Sequence, residues 1–536
     1  KGSDLPKVSE DALKIAEVIK RTNDYALDRK NLAGAYITKI MNYITRQSHD
    51  GSLMRKAGFK KWRDDITPLL DETTFKNVRP KKGVKDAQEE FLRDVYESLI
   101  SGVHKRSDGQ YSIDGKKDLI ASFQGPSNLA KSMSQSRVLH FKDGEASYQY
   151  SQKYNRRNLH ETLSDALTYD GRSIALMEEF GTNPRAMIER IVKDIAKKAK
   201  SDPVLNAKRE GQESAIKREF AQLDNSLNAV GSGDGIFFGA DFARMIKGTS
   251  ILGQMAVSSI TDVASKAAVI SSNTERGFFG SFGQALADIF EGLSGPERKE
   301  IGIRLLVGVE GMNTNVLSRH GPEDFGAGTI SKMNALFYKL TGMRYWNNAG
   351  KVGTARILAY DGAVSVKKSW KDVNSSFKAM LQRYKISEKE MALFKDVDMK
   401  AADGREYLFP DLAEDIPVNV LDPYIRDKTG TLNVTDAMRF KMRNELRTKV
   451  GSIYMDMADT AIPTPGAKEQ AIMNLGYAKG TAGGEAIRMV MMLKGFPITM
   501  MTKGISRQYH TSGFMGVTKM IAGMSAMGYV AMSAKD

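Results

Sequence analysis

Gly181-Thr182-Asn183-Pro184-Arg185-Ala186-Met187-Ile188-Glu189-Arg190-Ile191-Val192-Lys193-Asp194-Ile195-Ala196-Lys197-Lys198-Ala199-Lys200 decides the fold class. Glycine ends one helix, Thr182 or Asn183 caps the next, and proline takes the first turn, where its missing N–H costs nothing. The restarted helix carries Ile188, Ile191, Val192, Ile195 and Ala199 on one face. Arg190, Lys193, Lys197, Lys198 and Lys200 lie elsewhere on it and are the candidate DNA-facing residues, because clustered cations exchange condensed counterions for phosphate contacts. The bland alternative is an ordinary solvated face. No aromatic residue interleaves with these charges, so base stacking is not indicated.

The same pattern extends both ways. Leu13, Ala16, Ile19, Ala26, Ala33, Ile37, Ile40 and Ile44 recur at helical spacing, predicting one long helix or two joined ones over 10–47. A basic helix through Phe59 and Trp62 must break near Pro68, and another covers about 85–100. Thr435-Asp436 caps a helix running to about Asp459, before Pro463-Thr464-Pro465-Gly466. Two places read as β. Gln110–Ile113 is one; the other is a hairpin of Val138–Phe141 and Ala146–Tyr150 about Lys142-Asp143-Gly144. The expected fold is mainly α: an elongated multi-helix protein with one or two small β-hairpin insertions and no parallel sheet.

The chain divides into a helical region (1–106), a hairpin-containing insertion (107–155) and a charged helical region (156–230). A Gly/Ala-rich helical domain (231–394) opens at the Gly231–Gly235 hinge. A connector lobe (395–434) has turns at Asp403-Gly404 and Lys428–Thr431, and a helical region with a Met-rich apolar tail (435–536) follows. Ending directly after an apolar segment and beginning at Lys1, the sequence reads as a piece of a longer polypeptide.

Composition narrows the chemistry. Among 536 residues, Lys+Arg 79 against Asp+Glu 64 gives a net charge of +15, which favours polyanionic partners. With no cysteine, disulfides, thiolate-ligated zinc, iron–sulfur clusters and thiol nucleophiles are excluded. The six histidines (49, 104, 140, 160, 320 and 510) have no metal-ligand spacing, and neither a phosphate-binding P-loop nor a G-x-S-x-G elbow is present. Asp64-Asp65 and Glu178-Glu179 are adjacent on helices and do not face one another. The expectation is therefore no enzyme, no metal and no cofactor.

Met is abundant (28), and ten of the methionines fall between Met489 and Met532. Met491, Met492, Phe496, Met500, Met520 and Met524 are the candidate membrane-adjacent residues, the rival reading being buried core. Recurring Lys494, Lys503, Arg507 and Lys519 argue against a simple span. Gly248–Ile270, with Gly253, Ala256, Ser259, Ala264 and Ala267, permits close helix approach; in water that is tight core packing, and Asp262 and Lys266 oppose a lipid-facing span.

Several stretches resemble known phage proteins. Gly171–Ile188, and Gln47–Phe59 with Trp62–Asp65, resemble segments of very large virion proteins of tailed phages. Gly248–Ile270, Leu336–Val364, Met489–Met501 with Lys494-Gly-Phe-Pro-Ile-Thr499, and Met520–Ser533 resemble, in the same order, the largest internal core protein of short-tailed podophages. That resemblance implies a protein held in the capsid and ejected ahead of the genome. It implies a homo-oligomeric tunnel, built with other phage ejection proteins, conducting double-stranded DNA across the host periplasm and inner membrane. Some members carry a lytic transglycosylase, which no part of this chain resembles. The alternative is a soluble DNA-binding scaffold or core protein inside the capsid. A third reading, a delivered enzyme, would need a His/carboxylate cluster around His140, His160 or His320.

Overall fold

In a computed structural model, the structure describes residues 9–39, 49–76, 78, 86–101, 129–133, 138–155, 159–224, 262–291, 296–307, 343–401, 403–477, 482–491 and 494–533. Gln110–Ile113, the Gly231–Gly235 hinge, residues 248–261 and 330–340, and Met492 lie outside these. The protein is mainly α, as the hydrophobic spacing requires. Helices α1 (Glu10–Leu32), α2 (Gly51–Ala57), α3 (Phe59–Ile66), α4 (Ala87–Ser101), α5 (Leu129–Met133) and α6 (Gly144–Tyr154) come first. Next are α7 (Leu159–Phe180), α8 (Pro184–Ala199), α9 (Pro203–Leu223), α10 (Asp262–Asn273), α11 (Phe278–Glu291) and α12 (Pro296–Arg304). Then come α13 (Met343–Lys367), α14 (Ser375–Arg383), α15 (Glu388–Ala392), α16 (Val418–Thr429) and α17 (Asp436–Ala461). The last are α18 (Ala467–Asn474), α19 (Ala482–Met491), α20 (Gly495–Thr499) and α21 (Ser506–Ser533). The chain forms two compact units. One comprises Lys1–Phe242, Gly326–Gly328 and Gln470–Met491; the other comprises Ala243–Phe325, Thr329–Glu469 and Met492–Asp536.

In the first unit, an aromatic core gathers Trp62 and Ile66 of α3 with Met54, Leu92, Tyr96, Tyr150 and Tyr154. The hairpin expected at 138–150 is not there. Asp143 is instead an N-cap, its carboxylate accepting from the Ala146 N–H at 2.8 Å, and α6 starts at Gly144. Ala146, Tyr150 and Tyr154, four residues apart, are all buried, so the core selects helical spacing over the two-residue alternation. The Tyr154 hydroxyl donates to Asp65 at 2.7 Å, anchoring the helix end. Of the expected first strand, an isolated bridge from Phe141 to Leu70 remains. Of the one or two helices expected over 10–47, residues 40–47 lie outside the described ones and α1 stops at Leu32: Gly34 has φ +99°, and the Asn31 side chain closes onto the Ile37 backbone, accepting from N–H at 2.6 Å and donating to C=O at 2.9 Å.

The 181–184 punctuation forms as the residues dictate. Gly181 has φ +78°, Asn183 accepts from the Ala186 N–H at 3.2 Å, and Pro184 opens α8. In the second unit Thr435 caps α17, whose Leu446, Val450, Ile453, Tyr454 and Met457 are buried in the main core. Asp403-Gly404 turns a minimal Lys400–Glu406 bridge, whereas Gly430 is the left-handed cap that ends α16. Helix α10 is buried on nearly every side, Asp262 and Lys266 included. Its small residues therefore serve close packing in the interior of this unit, with the Lys266 ammonium donating to the Ala285 carbonyl at 3.3 Å.

Candidate nucleic-acid interface

At 100° per residue, Arg190, Lys193, Lys197 and Lys200 fall within about 80° of one another, a stripe about 15 Å long. Val192, Ala199 and Pro184 are buried on the opposite side, and this fixes the stripe outward. All five candidate cations are exposed; Lys198 stands apart, near the exposed run Met187, Ile191 and Ile195. Glu189 and Asp194 flank the stripe, also exposed. No ion pair joins them to it among the described residues.

That distinguishes these side chains from most neighbouring cations. Arg29 makes a bidentate pair with Glu178 at 2.6 Å, and Lys30 holds Asp170 at 2.7 Å, together fastening α1 to α7. Arg185, one turn before the stripe, is committed to Asp224 at 2.6 Å. Lys153 and Lys61 both engage Asp65, at 3.0 and 3.4 Å. The Tyr154 hydroxyl, ahead of burial and these lysines, sets the Asp65 carboxyl below its usual range. Geometry thus leaves one face of α8 with its charge unspent, which is what contact with a polyanion needs.

The other candidate set lies mostly inside the protein. Met500 and Met520 are buried against Ala267, Ala268 and Phe278, with Phe496 and Met524 packed on the same cluster. Met491 is half-buried. Exposed apolar side chains of the tail are others: Met501, Phe514, Met515 and Tyr529. Among the described residues, no helix is long and apolar enough to cross a membrane. No group of three His, Asp or Glu residues able to hold a metal occurs among them either. His140 is exposed and pairs through its backbone with Thr74; His320 lies outside the described residues.

The tail also builds a polar cluster that sequence spacing did not disclose. Between α20 and α21, Met500–Ile505 forms a π-helical turn, a geometry common at functional sites. Lys503 on this turn and Arg507 at the start of α21 reach Asp456 of α17, at 3.5 and 2.7 Å. Arg507 also donates to Thr460 Oγ1 and to the Tyr384 hydroxyl, each at 2.9 Å, and that hydroxyl donates to Asp456. Burial alone would raise the Asp456 carboxyl; Arg507, Tyr384 and Lys503 overcome it and hold the group below the usual carboxylate range. Burial pushes the Tyr384 phenol up to about 12. Arg383, at the end of α14, donates to Asn273 Oδ1 at 2.6 Å.

No protein-family model, curated protein or solved structure matches the chain.

Proposed function

We propose that this protein is an internal virion protein of a short-tailed phage. Its α8 face meets the backbone of double-stranded DNA, in an oligomeric tunnel that conducts the genome across the host periplasm and inner membrane. The observation that supports DNA contact is the exposed stripe of Arg190, Lys193, Lys197 and Lys200, unpaired among the described residues. Spaced single charges suit a passing duplex, because each phosphate contact is weak and replaceable. The ordered resemblance of residues 236–536 to podophage core proteins supports the phage setting, and partner ejection proteins and a homo-oligomer follow from that same reading.

A second reading, a DNA-binding scaffold that stays in the capsid, gains from the burial of Met500 and Met520, two of the methionines named for membrane contact. Both readings are tested on DNA and on liposomes. Replacing the four stripe residues by Gln should flatten the salt dependence of duplex binding by about 0.9 in log K per log salt for each phosphate no longer neutralised. An unchanged slope sinks the α8 assignment. Flotation with liposomes, or rings formed with partner ejection proteins, supports the tunnel; salt-sensitive DNA binding by a chain that neither floats nor assembles supports the scaffold.

A further inference from the structure

The cluster around the π turn carries an excess of charge that the fold does not explain. Asp456 pairs with Lys503 and Arg507, and Arg383 stands near enough to feel both Arg507 and Asp456, so three cations meet one carboxylate and the group stands at +2. Lys503 and Arg507 are both 22% exposed and already bound to Asp456, so they are held in place by the fold. Arg383 is different. Its one hydrogen-bond partner among the described residues is the Asn273 carbonyl oxygen, and Arg383 is exposed, so its remaining donors have no protein acceptor there.

Asn273 is itself fixed. It is 3% exposed, and its amide donates to the Val269 carbonyl at 2.7 Å, so its oxygen is committed to Arg383 and orients the guanidinium. Burial and, after it, the neighbouring Arg507 charge lower the Arg383 pKa, whereas Tyr384 and Asp456 raise that of Arg507, so the charge left without full compensation is that of Arg383. Beside them is a cleft lined by Asn273, Thr460, Arg507 and Gln508, with room for about one water-sized group. Gly504 of the π turn lines this cleft too, and a Cβ there would meet the Met500 sulfur of the same turn at 2.7 Å.

We propose that Arg383, Lys503 and Arg507 form a binding site for a phosphate dianion, either inorganic phosphate or the terminal phosphate of a nucleotide. Charge selects the ligand: a dianion neutralises the +2 excess, whereas a carboxylate or an internal phosphodiester leaves half of it. The forked donors of arginine match the tetrahedral oxygens, and Lys503 adds a point charge. One oxygen occupies the water-sized cleft, and the others face Arg383. This site is independent of α8 and of the function proposed above.

The test is calorimetric titration of the full chain with inorganic phosphate, and separately with a nucleoside 5′-monophosphate, at constant ionic strength in chloride. Saturable one-to-one binding is expected, weakened at least tenfold by Arg383→Gln and unchanged by Lys61→Gln, a charge removed from outside both sites. Tighter binding of the monophosphate identifies a nucleotide as the source; equal binding identifies free phosphate. An oligonucleotide without terminal phosphates should not compete. Arg383 makes one side-chain hydrogen bond and is exposed, so its variant should fold, and its thermal midpoint without phosphate checks this. No saturable binding of either probe, or full binding by folded Arg383→Gln, overturns the proposal.

Discussion

Replacing Met520 by alanine distinguishes a packed tail from a surface one. Met520 is 2% exposed, and its walls are Ala267, Ala268, Phe278 and Met500. Truncation removes three heavy atoms, and such core Met→Ala changes cost about 2–5 kcal/mol, depending on how far the site collapses. The two alanines have no rotamers with which to fill the gap, which pushes the value up. Met500, unbranched and adaptable, refills part of it. We therefore expect a loss of about 3 kcal/mol. For a unit of this size each kcal/mol moves the midpoint by about 2–4 °C, so the transition should drop by about 6–12 °C. Scanning calorimetry at one fixed scan rate measures it, with Met515→Ala as the control. Met515 is 65% exposed and should shift the stability by less than about 0.5 kcal/mol. If the two variants behave alike, Met520 is not in the core, and the tail regains its claim as a surface for membrane.

Removal of the Asp143 cap by alanine should weaken α6 by about 1 kcal/mol and speed hydrogen exchange at the Ala146 amide, whereas a hairpin would put no such cap there. Unchanged exchange contradicts the helix. In the second unit, burial would raise the Glu390 and Glu445 carboxyls, but Lys449 acts on both, with the Ser387 backbone N–H on the first and Lys428 on the second, and leaves them below their ordinary values. Asp456 behaves likewise. A depressed carboxyl stabilises above its unfolded pKa and loses that contribution as pH falls through the folded one. The urea midpoint should therefore hold from pH 7 to 5 and decline below about 4.5, and a midpoint unchanged at pH 3 refutes the pairing.

Punctuation was the most legible part of this sequence. Gly181, Asn183, Pro184 and Thr435 act within a few residues, through backbone groups that every helix end must satisfy, and each sits where local chemistry puts it. The hairpin failed for a related reason. Asp-Gly serves a tight turn or a helix start equally well, and the choice lay with Trp62 and Tyr96, remote residues that bury Tyr150. Of the candidate site, the stripe on α8 was readable because one helix carries all of it. The Arg383, Asp456, Lys503 and Arg507 cluster was not, since those residues come from three separated segments and share no spacing. A π turn between helices was also beyond reach, because its extra residue leaves no mark in composition.

The wider turn absorbs that extra residue and keeps the helices on either side of it in phase. Rewinding Met500–Ile505 as an ordinary α turn with every residue kept would swing the following helix by about 100° and advance it by about 1.5 Å. Met520 would leave its alanine wall, and Arg507 would turn away from Asp456. The winding between 500 and 505 thus works as a key. A single-codon deletion that closes the turn would keep the tail indexed to its unit, whereas a change that tightens the winding at constant length would uncouple it while leaving nearly every side chain intact.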